Sequence, residues 1–229
     1  MMDASIDKKK FKCKFDYCIG KASNLSDPSL QATAIDYKRR LSGAMRAVSG
    51  QDVGRVPAGK GTFVSRKYDG EFALIFFDGE NTVSLHPSGT ARTGLPCLDE
   101  AAKLLTKAKV KSCILAGEFH LLEATKTQRA LEQVLRVLRA PASKAALDKI
   151  ALAVFDVISI DDKPVTHAKA VFDSLNKWFG KGKNVHPVEF KEVSKNETIL
   201  ELYLDWVVGE QAEGIVVRSD TAGYYKVKA

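Results

Sequence analysis

The chain has 229 residues, of which 45% are hydrophobic, and a net charge of +7. That length and apolar content suit one large domain, or one domain with an added arm. No run approaches the roughly 20 apolar residues of a membrane helix, and Met1 to Asp7 has no apolar core of a secretory signal. An intracellular setting, cytoplasmic or nuclear, is therefore expected.

The charge is unevenly spread. Residues 1–66 hold 13 Lys/Arg and 6 Asp/Glu, whereas residues 67–229 hold 22 of each. The surplus is densest in Lys8-Lys9-Lys10-Phe11-Lys12-Cys13-Lys14. Such a run either tracks a phosphate backbone or forms a solvated, partly disordered arm. Cys13 and Cys18 lack the second Cys/His pair that a zinc site needs. With Cys97 and Cys113 they read as reduced thiols, Cys113 packed in a strand.

Residues 1–28 are polar and basic without clear periodicity and read as an N-terminal arm. A main domain is expected over 29–229. Leu30, Ala34, Ile35, Leu41 and Met45 form the apolar stripe of a helix over 29–48. Gly54 to Gly61 reads as a loop. Phe63-Val64, Phe72 to Phe77 and Thr82 to His86 read as strands, with Asp78-Gly79 in the turn between the last two. Ser88 to Gly94 reads as a small polar loop, and Leu98 to Lys109 as an amphipathic helix.

A strand is expected from Cys113 to Phe119. Thr125-x-x-Gln128 is a capping box for a helix reaching about Arg139 and stopped by Pro141. Ala151 to Ile160 reads as a buried strand, and His167 to Phe179 as a helix ending at Gly180. Asn196 can cap a helix through Val208, with Gly209 beyond its end. Gly214 to Arg218 and Tyr224 to Lys228 are the last strands. The fold class is α+β, antiparallel sheets flanked by helices.

Five segments carry chemistry in a fixed order. They are Lys67-Tyr68-Asp69-Gly70, Leu115-Ala116-Gly117-Glu118-Phe119, Val154-Phe155-Asp156-Val157, Glu213-Gly214-Ile215-Val216-Val217-Arg218 and Tyr225-Lys226-Val227-Lys228. A lysine attacks phosphorus only as the neutral amine, and its ordinary pKa is about 10.4. Lys226 and Lys228, brought from the far end of the chain, would supply positive charge beside it and contacts to phosphates. Asp69 and Gly70 read as a turn aiming Lys67 into a pocket. Glu118 and Glu213 stand at strand ends, where a carboxylate can accept from a ribose or hold a metal-bound water. Phe155 reads as a core or a stacking aromatic. Arg218 reads as a phosphate contact or a surface residue. His86, His120, His167 and His186 show no metal or triad spacing.

This series resembles the nucleotidyltransferase motifs of ATP-dependent DNA ligases, with RNA ligases and mRNA capping enzymes as cousins. The resemblance runs from about Phe63 to Lys228. It implies an ATP-grasp-like adenylation domain in which Lys67 becomes covalently bonded to AMP, with Lys226 and Lys228 as its catalytic partners. The AMP then passes to a 5′-phosphate of nicked DNA, for strand sealing in repair, replication or recombination. It further implies ATP and Mg2+ as cofactors. Asp69, Gly70, Arg92, Glu118, Phe155 and Glu213 would bind the nucleotide, Phe155 by stacking on the purine. Glu118 and Glu213 would stand on the metal side.

The chain departs from the family pattern in three places. Phe72 stands where ligases often carry an arginine, a task Arg92 could take. The gap from Glu213 to Lys226 is short for a DNA ligase, which keeps an RNA ligase open. Ligases continue into an OB-fold, which this sequence does not show, so a fragment of a longer protein, rather than a reduced enzyme, is expected. A GTP-using capping enzyme and a non-catalytic module holding nucleic-acid ends are the remaining readings.

Overall fold

Two antiparallel-rich sheets organise the chain, and the cavity between them is where the motif segments meet. The computed structural model describes residues 2–122 and 130–229. Strands β1 (Lys12–Lys14) and β2 (Tyr17–Lys21) open the chain, followed by helix α1 (Leu30–Ala44) and β3 (Arg46–Ser49). Next come β4 (Thr62–Lys67), β5 (Glu71–Phe77), β6 (Thr82–Leu85), β7 (Thr90–Thr93), α2 (Pro96–Lys107) and β8 (Cys113–Leu121). Helices α3 (Ala130–Arg139) and α4 (Lys144–Asp148) lead into β9 (Ile150–Ile160) and β10 (Lys163–Pro164). Helix α5 (Ala168–Phe179), β11 (Val185–Pro187), β12 (Phe190–Val193), α6 (Asn196–Tyr203), β13 (Gly214–Ser219) and β14 (Gly223–Lys228) complete it.

The large sheet has nine strands in the order β1-β2-β7-β6-β5-β8-β9-β10, with β11 also paired to β9. The small sheet has five, in the order β12-β4-β13-β14-β3. The fold is the expected α+β arrangement.

Period-2 alternation decides which side chains enter which core. On β5, Ala73, Ile75 and Phe77 join a core with α2 and α5, while Phe72, Leu74 and Phe76 face Leu30, Ala34, Tyr37 and Leu41 of α1. On the small sheet Val64, Ile215, Val217 and Val227 pack against Ile199, Leu202 and Trp206. Each such fully buried side chain contributes roughly 1.5–3 kcal/mol of transfer free energy. The other face of that sheet is left for the cavity.

Several sequence expectations are corrected. Residues 1–28 are not a loose arm: β1 and β2 extend the large sheet, and Phe11, Tyr17 and Cys18 are buried. The reason is long-range packing, because β2 pairs with β7 and the Tyr17 hydroxyl donates to the Leu138 carbonyl at 2.6 Å. Cys13 and Cys18 face each other in the β1–β2 register and are disulfide-bonded, so they are neither reduced thiols nor zinc ligands. Cys97 and Cys113 are free and buried.

Helix α1 ends at Ala44, and the residues after it pair as β3 with β14. Tyr37, not Ile35, fills its buried stripe, and Ile35 is 49% exposed. The Ser88–Gly94 loop contains β7. Asn196 does not cap α6; its side chain donates to the Gly54 carbonyl. A π-helical turn, Leu204–Gly209, follows α6. The capping box at Thr125 and Gln128 lies outside the described residues. No helix among the described residues is long and apolar enough to cross a membrane.

Candidate active site

Lys67 is the last residue of β4, and the small sheet's register brings its partners to it. Lys67 lies opposite Gly214 on β13, and Gly214 lies opposite Lys228 on β14. Lys226 and Lys228, two residues apart, share the face that carries Lys67. Glu213 immediately precedes Gly214 and bridges them. One of its oxygens accepts from the Lys67 ammonium, and the other stands 2.8 Å from Lys228 Nζ. Burial pushes the Glu213 carboxyl up, but the hydrogen bonds from Lys228 and Lys67 outweigh it and hold it below the usual range.

The large sheet supplies the opposite wall. Glu118 on β8 is the cross-strand partner of Phe72 on β5, and its Oε1 lies 3.9 Å from Lys67 Nζ. Burial pushes its carboxyl up to about 7, against the pull of Lys67. On β9 the register passes from Val154 to Asp156 while β8 advances only from Gly117 to Ala116. Phe155 is thus the extra residue of a bulge, a device that re-aims a side chain. Its ring enters the cavity at 6.3 Å from Phe72.

The cavity holds about 260 Å³. Lys67, Glu118, Phe155, Lys226 and Lys228 all line it, and Arg218 does so while paired to Asp156 at 2.8 Å. Asp69 stands in the turn after β4, close enough to Glu118 and Lys228 to act on both charges. Gly70 does not need an unusual backbone there. A Cβ on it would lie 2.2 Å from the Phe119 carbonyl oxygen, so the turn packs directly on β8.

Arg92 is placed elsewhere. It belongs to β7, is 3% exposed, and is clamped by Glu71, with Nη1 at 2.7 Å from Oε2. Glu71 precedes Phe72 on β5 and therefore points to the other face of the sheet. Arg92 lines a separate pocket with His86 and Arg139 and cannot take the task expected of it in this cavity. The cation beside Phe72 is instead Lys38 of α1, at 4.2 Å from the ring centroid. Only its place on the apolar side of a helix, next to Tyr37, could have drawn attention to it. The histidines form no metal-capable group among the described residues. His120 and His186 meet at 2.8 Å between their Nε2 atoms, beside Tyr68.

The donor set suits one hard cation only in part. No group of three or more His, Cys, Asp or Glu among the described residues could hold a metal. Both Glu213 oxygens are engaged by lysines, whereas Glu118 keeps its carboxylate free of any hydrogen bond among the described residues. One carboxylate together with substrate phosphates is a common magnesium set, and Glu118 fits it.

Residues 44–229 match the family model described as "ATP dependent DNA ligase domain". No curated protein matches the sequence. Among solved structures the chain is similar to one named "Pmar-Lig_Pre.", with a TM-score of 0.61 and 15% identity over 81% of this chain and 46% of that one. A structure from a study of Lig E DNA ligases gives a TM-score of 0.52 and 16% identity, over 81% of this chain and 68% of that one. An archaeal ATP-dependent RNA ligase gives 0.51 and 14%, over 81% and 47%. These are likenesses of fold. The chain spans 46% and 51% of the first two ligase structures it matches.

Proposed function

The chain belongs to the ATP-dependent DNA ligase domain family, and from that premise we propose that it is the adenylation domain of a ligase that seals nicked DNA. The observation that carries the reading is one cavity lined by Lys67, Glu118, Phe155, Lys226 and Lys228, with Glu213 bonded to Lys67 and Lys228 at its edge. The adenylating unit is residues 29–229, with residues 1–28 as a basic extension of its large sheet.

In the proposed first step the Lys67 amine attacks the α-phosphorus of ATP in line. The N–P bond forms, the P–O bond to pyrophosphate breaks, and Glu213, already accepting from Lys67, is positioned to take the proton. Lys226 and Lys228 offset the charge that develops on the phosphates. Phe155 offers its ring to the adenine. Glu118, free of hydrogen bonds among the described residues, accepts from the ribose or would hold magnesium. Magnesium would neutralise phosphate charge when bound. AMP then passes to the 5′-phosphate at a nick, and the 3′-hydroxyl displaces it.

The test is incubation with α-labelled ATP or GTP and magnesium, followed by denaturing electrophoresis and transfer to nicked DNA or RNA. Label from ATP that moves to nicked DNA supports the reading. Label from GTP would favour a capping enzyme, transfer to RNA alone an RNA ligase, and no label a binding module.

A further inference from the structure

Helix α1 lies outside the motif series and ends where the family match begins, at residue 44. One of its faces is nevertheless a wall of the cavity, through Lys38, Leu41, Ser42 and Met45. Its seating is specific. The Tyr37 hydroxyl donates to Asp156 Oδ2 at 2.7 Å, and Arg218 donates to Oδ1 of the same carboxylate at 2.8 Å. Asp156 stands on β9 and Arg218 on β13, so one buried carboxylate ties α1 to both sheets.

Lys38 follows Tyr37 and extends its ammonium over the Phe72 ring. Lys38 is exposed, yet partial desolvation at the cavity holds its pKa below the ordinary lysine range; Glu118 opposes the shift, and Lys67 and Lys226 reinforce it. The cavity carboxylates are directed to Lys67 and Lys228, and no ion pair among the described residues engages Lys38. An ammonium with an aromatic face as its near contact and no carboxylate in ion-pair contact gains most from an incoming anion.

We propose that Lys38 is an anion-binding residue of this cavity and takes a phosphate group of the substrate. The inference deepens the adenylation reading and rests on it for the identity of the substrate. The same chemistry could come from the triphosphate of ATP or from the 5′-phosphate of the polynucleotide.

Binding measured in a Lys67→Ala background separates the two, because no covalent step intervenes. In the first arm, calorimetry with ATP compares Lys38→Met and Lys38→Arg with the parent. In the second, nicked duplexes with a 5′-phosphate and a 5′-hydroxyl are compared for the same variants. A rise of about ten- to a hundredfold in the dissociation constant for Lys38→Met, largely restored by Lys38→Arg, is expected in one arm. Weaker binding in the first arm assigns the nucleotide phosphates, and loss of 5′-phosphate discrimination in the second assigns the polynucleotide. Unchanged binding in both arms would overturn the proposal, as would equal losses in Lys38→Met and Lys38→Arg. Thermal melting of each variant identifies any loss that comes from misfolding. Failure of the unaltered chain to acquire AMP would count against the adenylation reading alone, since the binding arms do not depend on it.

Discussion

Lys67 and Glu213 lie 146 residues apart in the chain and share a direct ammonium–carboxylate hydrogen bond. The contact follows from strand register: β4 and β13 run antiparallel with Lys67 opposite Gly214. It holds the amine at the cavity, and in the proposed adenylation step it supplies an acceptor for the proton that leaves the amine.

Lys67→Ala should abolish covalent labelling by ATP. Lys67→Arg should fail as well, because arginine stays protonated and is not a useful nucleophile. Mass spectrometry of the ATP-treated protein at neutral pH maps the adduct. AMP on another lysine, or normal labelling of Lys67→Ala, would refute the assignment.

Lys226→Ala and Lys228→Ala should each slow labelling by about 10²–10³, the usual effect of removing one charge-stabilising group. The adduct should stay on Lys67. Single-turnover labelling measures this, and unaltered rates in both variants would remove these lysines from the reaction.

The Glu118 carboxyl, pushed up to about 7 by burial, predicts a pH signature. The folded state holds this proton more tightly than the unfolded chain does. Stability from the group is therefore complete below the unfolded pKa and is lost as pH rises through about 7. The carboxylate that the proposed ligand contact uses forms over the same interval. Glu118→Gln should thus label nearly as well as the unaltered protein at about pH 5.5 and fall progressively behind it by about pH 8. A constant ratio across that range would contradict the prediction.

Gly70→Ala should destabilise the fold by about 1–3 kcal/mol and reduce labelling. The added Cβ meets the Phe119 carbonyl oxygen at 2.2 Å, so the turn after Lys67 must lift away from β8. Urea denaturation followed with the labelling assay checks both effects. A variant as stable and as active as its parent would show that the turn is free to move.

The basic N-terminus is best tested by charge, because removing residues 1–14 would also remove β1 and the buried Phe11. Lys8, Lys9, Lys10, Lys12 and Lys14 are exposed. Changing all five to Gln should weaken binding to nicked duplex. It should also flatten the salt dependence by about 0.9 in slope for each phosphate that is no longer neutralised. AMP labelling should be unchanged. Equal affinity and slope before and after would show that this segment does not touch nucleic acid.

Much was legible without coordinates. Phe72 to Phe77, Ala151 to Ile160 and Gly214 to Arg218 read as strands because local apolar pattern dictates element type. The order of the lysine and carboxylate segments pointed to one cavity; strand pairing within the small sheet brings Lys67, Glu213 and Lys228 together, and the facing large sheet brings Glu118 to 3.9 Å from Lys67. What tertiary structure alone decided depends on which strand lies beside which. Residues 12–21 carry too little periodicity to read as strands, yet the open edge of β7 recruits them. Arg92 looked free in a polar loop, but the β6–β7 pairing turns it onto Glu71 and away from Lys67. Phe155 enters the cavity because of a one-residue slip between β8 and β9, which no pattern within β9 reveals. Lys38 stands over Phe72 because Tyr37 is bonded to Asp156, 119 residues away. Local sequence sets the dihedral preferences and the polarity of each face. The partners of each face are set by sheet register and by helix seating, which depend on the whole chain at once.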